Sequence, residues 1–547
     1  MQRTERKATA GLRWAVFAMV VVLVVVTLHA RGWPGGFLSD DFSHLDWIHR
    51  ADLEHGLGEW TLQRFWQPLA SGNFAWRPLA FASYVLDWRL FGTTAAGWQA
   101  TNLALHLANV ALVGGLAWKW LPQATASRAA AAAISAAVLA AFPFAGEVSF
   151  WLVGRFDLLA ALFALSFLAT FRSGHVGAGP WRQSLRVASL IGALLAKESA
   201  MPLPFVALPI AAALAASGAD VPATGGALRS VKFAVRELLP AWIAFAGYAL
   251  ARQLLFGTPL KVYPASTFPH SLGELLDRIA PLAAVATRQP GEYGAPWAVA
   301  LALSLALVTA LVVADVVRRR PSSAPLAAAL LVAAVAYTIA PASSFPVASW
   351  HGDGARSFYL PWLFVALAGG MAFAPGGARR ALGALLVALL LFGQQGSLRQ
   401  WHEAAATLRR VQAAVPGLAR HVGPDGYALI LLPDQIGVAV FVRNAQGGMV
   451  SRPTQADDHL DRVAGATWGD LPTWERRFTG DEPWAPKADR PFAVEDYRGV
   501  YCWNPATATL VAIDAGGAIA DRHAWRDALR GNALRLGCLP GTAGSVE

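Results

Sequence analysis

The chain has 547 residues, of which 55% are hydrophobic and only 15% charged, and its net charge is +10. Soluble domains carry about 25% charged residues, so the composition excludes an ordinary soluble fold and points to lipid. The positive excess lies in short loops between apolar runs, which argues against nucleic acid, and 22 tryptophans suit aromatic belts at two membrane interfaces.

The N-terminus MQRTERKATAGLR is basic and leads into an apolar run, Trp14–His29. This resembles a signal peptide. The run is as long as a bilayer core requires, and ARGWPGGFLSDD lacks a clean small-x-small cleavage site, so it reads as an uncleaved first span. The next stretch, FLSDDFSHLDW at Phe37–Trp47, carries adjacent acids, Asp40 and Asp41. They are either solvated acids capping a short helix or functional groups, because carboxylates are costly near lipid. The polar segment 31–97 also holds LDWIHRADLEHGLGEW and FAWRPLAFASYVLDWRLFG, which suit interfacial helices.

Further spans are expected at Trp98–Trp118, Ala129–Phe144 and Phe150–Phe171. Ser184–Ser217 is too long for one span and reads as two short helices broken at Lys197 and Glu198. Others follow at Leu238–Phe256, Pro296–Val317, Leu326–Ala340, Ser357–Phe373 and Ala381–Phe392. An outer loop at 257–295 contains the amphipathic SLGELLDRIAPLAAVATR. This gives about eleven transmembrane helices. Alternate loops hold the basic residues (Arg182, Arg186, Arg229, Lys232, Arg318, Arg319, Arg320, Arg379 and Arg380 among them), whereas acids gather in the others. By the positive-inside rule the N-terminus is cytoplasmic and Asp40 faces outward. The expected location is the inner (plasma) membrane.

From Gln394 the character changes. SLRQWHEAAATLRRVQAAV has helical spacing, and YALILLP, GVAVFVR, GVYCWN and TLVAID read as strands. The expected fold class is therefore mainly α: a polytopic membrane domain over 1–395 and a small extracytoplasmic α/β domain over 396–547. Cys502 and Cys538, the only cysteines, both fall in that domain. Its compartment permits a disulfide between them.

Charged residues recur at the outer ends of spans: Arg155 and Asp157 in SFWLVGRFDLLAAL, Lys197 and Glu198 at the break, and Arg356 in HGDGARSFYLPW. Such residues either snorkel or pair locally, or they serve function. Lys197, Arg356 and Arg155 have the chemistry to hold a phosphate or diphosphate. A carboxylate opposite them could take a proton from an acceptor hydroxyl. His44, His351 and Asp353 are further outer-face residues, but they lack tight metal-ligand spacing and read as polar lining.

With these motifs in order, the chain resembles the GT-C superfamily of polytopic glycosyltransferases. Within it, the similarity is to the branch of protein O-mannosyltransferases, the lipid A aminoarabinose transferase and TMTC-type O-mannosyltransferases. The motifs are SDDF at Ser39–Phe42, NLALHLANVAL at Asn102–Leu112, GRFDLLA at Gly154–Ala160, LLAKESAMPLP at Leu194–Pro204 and RSFYLP at Arg356–Pro361. They span roughly residues 10–395 in order. The tetratricopeptide and β-trefoil repeats found in parts of that branch are not recognisable.

The resemblance implies an inverting transferase using a polyprenyl-phosphate sugar. Asp40 would act as general base or position the acceptor, with Asp41 orienting it or touching the acceptor. Asp157 would help position the acceptor or fix Arg155, and Lys197 and Arg356 would bind the carrier phosphate. The implied partners are that donor, membrane lipid and a glycan, lipid or protein acceptor, with no nucleic acid. No metal site is expected, though the acids could support a divalent cation. A transporter or flippase of lipid-linked saccharides and a non-catalytic envelope assembly factor are the competing classes.

Overall fold

A computed structural model gives the fold. It describes residues 2–539 except 32, 34, 55, 68–73, 122–124, 175–176, 218–225, 263–268, 280–293, 319–322, 345–353, 424–425, 444, 446, 469–496 and 514–521. The chain divides into two compact units. The first comprises Met1–Gly32, Gly58–Asp87 and Gln99–Arg399, and the second Trp33–Leu57, Trp88–Trp98 and Gln400–Glu547.

The first unit is helical. Its long elements are α1 (Gln2–Arg31), α5 (Ala95–Trp120), α6 (Thr125–Ala140), α8 (Gly154–Ala169), α9 (Pro180–Ala196), α10 (Leu203–Ala216) and α11 (Gly226–Phe256). They continue with α13 (Gly294–Val317), α14 (Ala324–Ser344), α15 (Tyr359–Phe373) and α16 (Gly377–Val422). Shorter pieces are α3 (Leu57–Gln63), α4 (Pro78–Phe91) and α7 (Ala145–Ser149), whereas α2 (Asp41–Glu54) and the part of α16 from Gln400 onward belong to the second unit. Residues 272–279, here α12, are also helical. Among the described residues, six helices are long and apolar enough to cross a membrane. The chain is a polytopic, mainly α membrane protein.

Its core follows from side-chain size. α15 is buried along nearly its whole length and packs on α6, α8, α13 and α14. The alanine-rich α6 packs on α1 and α15, where small side chains let helices approach closely. Leu303 and Val313 on α13, and Ile243 and Leu254 on α11, stay exposed, as a lipid-facing surface requires.

Two elements bear on the sequence reading. The expected span Ala381–Phe392 and the helix after Ser397 are one continuous helix of 46 residues, α16. The glycine and glutamine run GQQG does not break it. The Gln394 amide donates to Ala140 O at 2.9 Å and Phe142 O at 3.2 Å, so a polar residue is accommodated inside the bundle. The break at Lys197 does occur. Lys197 is extended (φ −161°, ψ 139°), a 3-10 turn Glu198–Ala200 follows, and α10 starts after Pro202. Pro202 has no N–H to continue a helix and stands just before α10, while the extended backbone of Lys197 ends α9.

The second unit carries a four-stranded sheet of order β4-β1-β5-β6. The strands are β1 (Tyr427–Leu432), β4 (Val463–Thr467), β5 (Tyr497–Asn504) and β6 (Thr509–Ile513). β1 pairs parallel with β4 and β5, and β5 pairs antiparallel with β6. Every β1 residue is buried, which explains the unbroken apolar run YALILL of a central strand. GVAVFVR does not join this sheet. It supplies only β3 (Ala439–Val440) of a short hairpin with β2 (Gln435–Ile436). β4, by contrast, has the sequence VAGAT, whose small residues give no strand signal.

The helix α17 (Arg522–Arg535) contacts β6, and the chain then returns to β5, where Cys538 is disulfide-bonded to Cys502 with Cα atoms 5.9 Å apart. The Asn504 side chain donates to Leu536 O at 2.7 Å beside it. The bond closes a 36-residue separation. Replacing both cysteines by alanine is expected to cost about 3 kcal/mol of domain stability, read as earlier thermal unfolding of the full chain. Unreduced, denatured protein should take up no alkylating reagent, and two reactive thiols would refute the pairing.

Candidate functional site

Within the first unit, charged side chains collect where short elements end. Gly154 opens α8 against α7. A Cβ there would lie 2.4 Å from Val148 O, so the first residue of GRFDLLA is a packing requirement. The tight turn puts Arg155 and Asp157 in the first turn of α8, where the helix dipole favours a carboxylate. Lys197, held out by its extended backbone, donates to both Asp157 carboxylate oxygens at 2.6 Å. Arg356 lies in the 3-10 turn Ala355–Phe358. It bonds Glu147 Oε1 at 2.8 Å and stacks 4.3 Å above the Trp151 ring. The Gly354 N–H also donates to Glu147, at 2.9 Å. The positive charges of Arg356 and Arg77 both act on Lys197. Asp157, Lys197 and Arg356 therefore share one electrostatic neighbourhood with Glu147 and Arg77.

Two expected members have other work. Arg155 does not pair with Asp157 and offers no surface to a ligand, because it is fully buried. Its guanidinium binds Asp87 at 2.6 Å and Asn102 Oδ1 at 2.6 Å, tying α4 and α5 to α8. Burial raises the Asp87 carboxyl above the usual range, while Arg155 and the Thr101 hydroxyl pull it back. Glu198 is likewise buried. It accepts from the Trp76 N–H and from Arg77 at 2.8 Å, and Arg252 stands 3.8 Å away. It fixes Arg77 rather than facing outward as a ligand.

NLALHLANVAL and RSFYLP meet inside the bundle. The Tyr359 hydroxyl is hydrogen-bonded to His106 Nδ1 at 2.8 Å and accepts from Asn109 at 3.4 Å. These buried polar groups join α5 to α15, as interhelical hydrogen bonds do in lipid.

The acid pair belongs to the second unit. Asp41 is completely buried, and its Oδ2 accepts the Leu38 N–H at 3.0 Å. Asp40 is half-buried, and its carbonyl accepts the His44 N–H at 3.0 Å. His44 is buried and stacks on Trp47 with centroids 5.2 Å apart. His351 and Asp353 lie outside the described residues. Among the described residues, no group of three His, Cys, Asp or Glu side chains could hold a metal ion. No step below is routed through one.

Glu147, Arg77 and Asp87 were not singled out from the sequence. Glu147 read as one of several outer-loop acids, and Arg77 and Asp87 fell in an amphipathic segment where charges are ordinary. The one available signal was their apolar context, AWRPLAF for Arg77 and VLDWRLF for Asp87. Chemically, Lys197, Arg356 and Arg77 can bind an anion through charge-assisted hydrogen bonds, each already oriented by a carboxylate.

No family model matches the chain. Human protein O-mannosyl-transferase TMTC4 is 31% identical over 170 residues, covering 28% of this chain and 22% of that protein. Protein O-mannosyl-transferase Tmtc1 of Drosophila melanogaster is 31% identical over 208 residues, covering 36% and 22%. The chain thus spans about a fifth of the length of these curated relatives. Among solved structures, ArnT from Cupriavidus metallidurans bound to undecaprenyl phosphate aligns with TM-score 0.45 and 11% identity over 91% of this chain and 93% of that one. Its apo state aligns with TM-score 0.46 and 13% identity over 91% and 94%. The chain is similar in sequence, over about a third of its length, to protein O-mannosyltransferases.

Proposed function

We propose that this protein is a membrane glycosyltransferase of the GT-C type. It transfers a sugar from a polyprenyl-phosphate donor to an acceptor hydroxyl at the outer face. The observation that carries the reading is the gathering of Lys197, Arg356 and Arg77 at helix ends of a membrane bundle, each held by a carboxylate. Three oriented cations suit a phosphate that must gain charge as it leaves. The local similarity to O-mannosyltransferases supports the same chemistry.

In this reading the acceptor oxygen attacks the anomeric carbon and the bond to the phosphate oxygen breaks. Asp40 takes the hydroxyl proton, and the polyprenyl phosphate departs carrying the bonding electrons, with Lys197 and Arg356 on its oxygens. A single displacement inverts the anomeric centre. Asp41 orients Asp40 through its bond to Leu38. Asp157 sets Lys197, and Glu147 sets Arg356. The topology that goes with this reading has about eleven crossings, a cytoplasmic N-terminus and an extracytoplasmic domain over 396–547.

The test is direct. Purified full-length protein in nanodiscs should release undecaprenyl phosphate from at least one of a panel of undecaprenyl-phosphate hexoses and pentoses when hydroxyl acceptors are supplied. Movement of intact donor between leaflets without cleavage would instead identify a flippase.

A further inference from the structure

Resting on the glycosyltransferase reading, we propose that Ser39 is the positioning residue of the acid pair, and that Phe441, Arg443 and Gly448 form the template on which it sets Asp40. Asp41 is completely buried and Asp40 half-buried, so the turn at Ser39 sends the two carboxylates to different surroundings. Ser39 shapes that turn. Its φ is +49°, in the left-handed region that is strained for a non-glycine residue. Ala508 is the other described non-glycine residue at positive φ, and it sits at the turn between β5 and β6.

The conformation is held by two bonds to one short segment of the second unit. The Ser39 N–H donates to Phe441 O at 3.0 Å, and its hydroxyl donates to Arg443 O at 2.5 Å. Ser39 is itself fully buried, which limits competition from water. Farther along the segment, Gly448 lies against Phe42, the residue after the acid pair. A Cβ at Gly448 would stand 2.7 Å from Phe42 Cβ, so a larger residue would displace the start of α2. Two carbonyls fix the turn from one side and the glycine sets its closest approach. Asparagine or glycine would suit a left-handed φ better. Serine makes sense here because its hydroxyl reaches the Arg443 carbonyl. This gives the C-terminal domain a role in the reaction: it templates the turn from which the base projects.

The experiment compares Ser39→Ala, Ser39→Gly, Gly448→Ala and Asp40→Asn in the full chain. Undecaprenyl-phosphate release supplies kcat and the donor KM, and binding of undecaprenyl phosphate alone supplies an affinity. Misplacing a catalytic group by about 1 Å costs up to roughly 100-fold in rate, so Ser39→Ala and Gly448→Ala should lower kcat about 10- to 100-fold. Donor KM and undecaprenyl phosphate affinity should stay near wild type, with unfolding earlier only by what the lost hydroxyl bond or the added methyl costs locally. Ser39→Gly keeps the N–H bond and accepts the φ, so it should recover part of that loss. Wild-type kcat in Ser39→Ala with an inactive Asp40→Asn overturns the positioning role. So does an equal fall in kcat, phosphate affinity and unfolding temperature, which marks general damage. An active Asp40→Asn overturns the underlying reading instead.

Discussion

Asp40→Asn is expected to lower the transfer rate about 10²- to 10⁴-fold, the range contributed by a positioned general base. The substitution is nearly isosteric, and the turn is held by bonds of its neighbours. The bonds that define it run from Ser39 to Phe441 and Arg443 and from Leu38 to Asp41. The Asp40→Asn variant should therefore fold and bind donor as wild type does, within about twofold, because a proton acceptor acts mainly in the transition state. Asp41→Ala should behave differently. It leaves the buried Leu38 N–H without its acceptor, at a cost of about 1–3 kcal/mol, and lowers stability along with rate. Initial rates of undecaprenyl phosphate release, alongside unfolding temperatures, separate the two. A rate for Asp40→Asn within twofold of wild type would remove the base from the mechanism.

What was legible in the sequence follows from contrast. A charge stands out when its neighbours are apolar. Lys197 in LLAKESAMP and Arg155 and Asp157 in LVGRFDLLA were therefore visible, and the excessive length of Ser184–Ser217 with its charged pair made the break between α9 and α10 readable. Partners were not visible, because pairing depends on packing. Arg155 and Asp157 are two apart on a helix and point to different neighbours, Asp87 and Lys197. Glu147 in PFAGEVSFW and Arg77 in AWRPLAF stand among apolar residues too, but the sequence alone gave each no partner and so no role. The same limit applied to strands. YALILL announced a strand, whereas VAGAT, equally buried as β4, lacks the large residues that give a pattern. The assignment of Trp33–Leu57 to the second unit was likewise beyond sequence, since it rests on contacts across some 400 positions, such as Ser39 with Arg443.

Lys197→Ala should weaken donor binding far more than Asp40→Asn does. Lys197 Nζ sits 2.6 Å from both Asp157 oxygens, with its side chain 13% exposed and Asp157 at 1%. The lysine therefore has two tasks, contacting a phosphate and neutralising a buried acid. Removing it takes away a cation that acts in the ground state. It also leaves Asp157 as an uncompensated negative charge beside the phosphate position, where like charges repel. Truncating one partner of a buried, hydrogen-bonded charge pair costs about 2–5 kcal/mol, so the dissociation constant for undecaprenyl phosphate should rise at least about 30-fold. The double variant Lys197→Ala/Asp157→Asn should regain part of that loss, because the repelling charge is gone while the missing contact is not. Lys197→Arg keeps the charge but replaces a compact ammonium with a planar fork, and should fall between. Equal affinity in wild type and Lys197→Ala would show that the phosphate is held elsewhere.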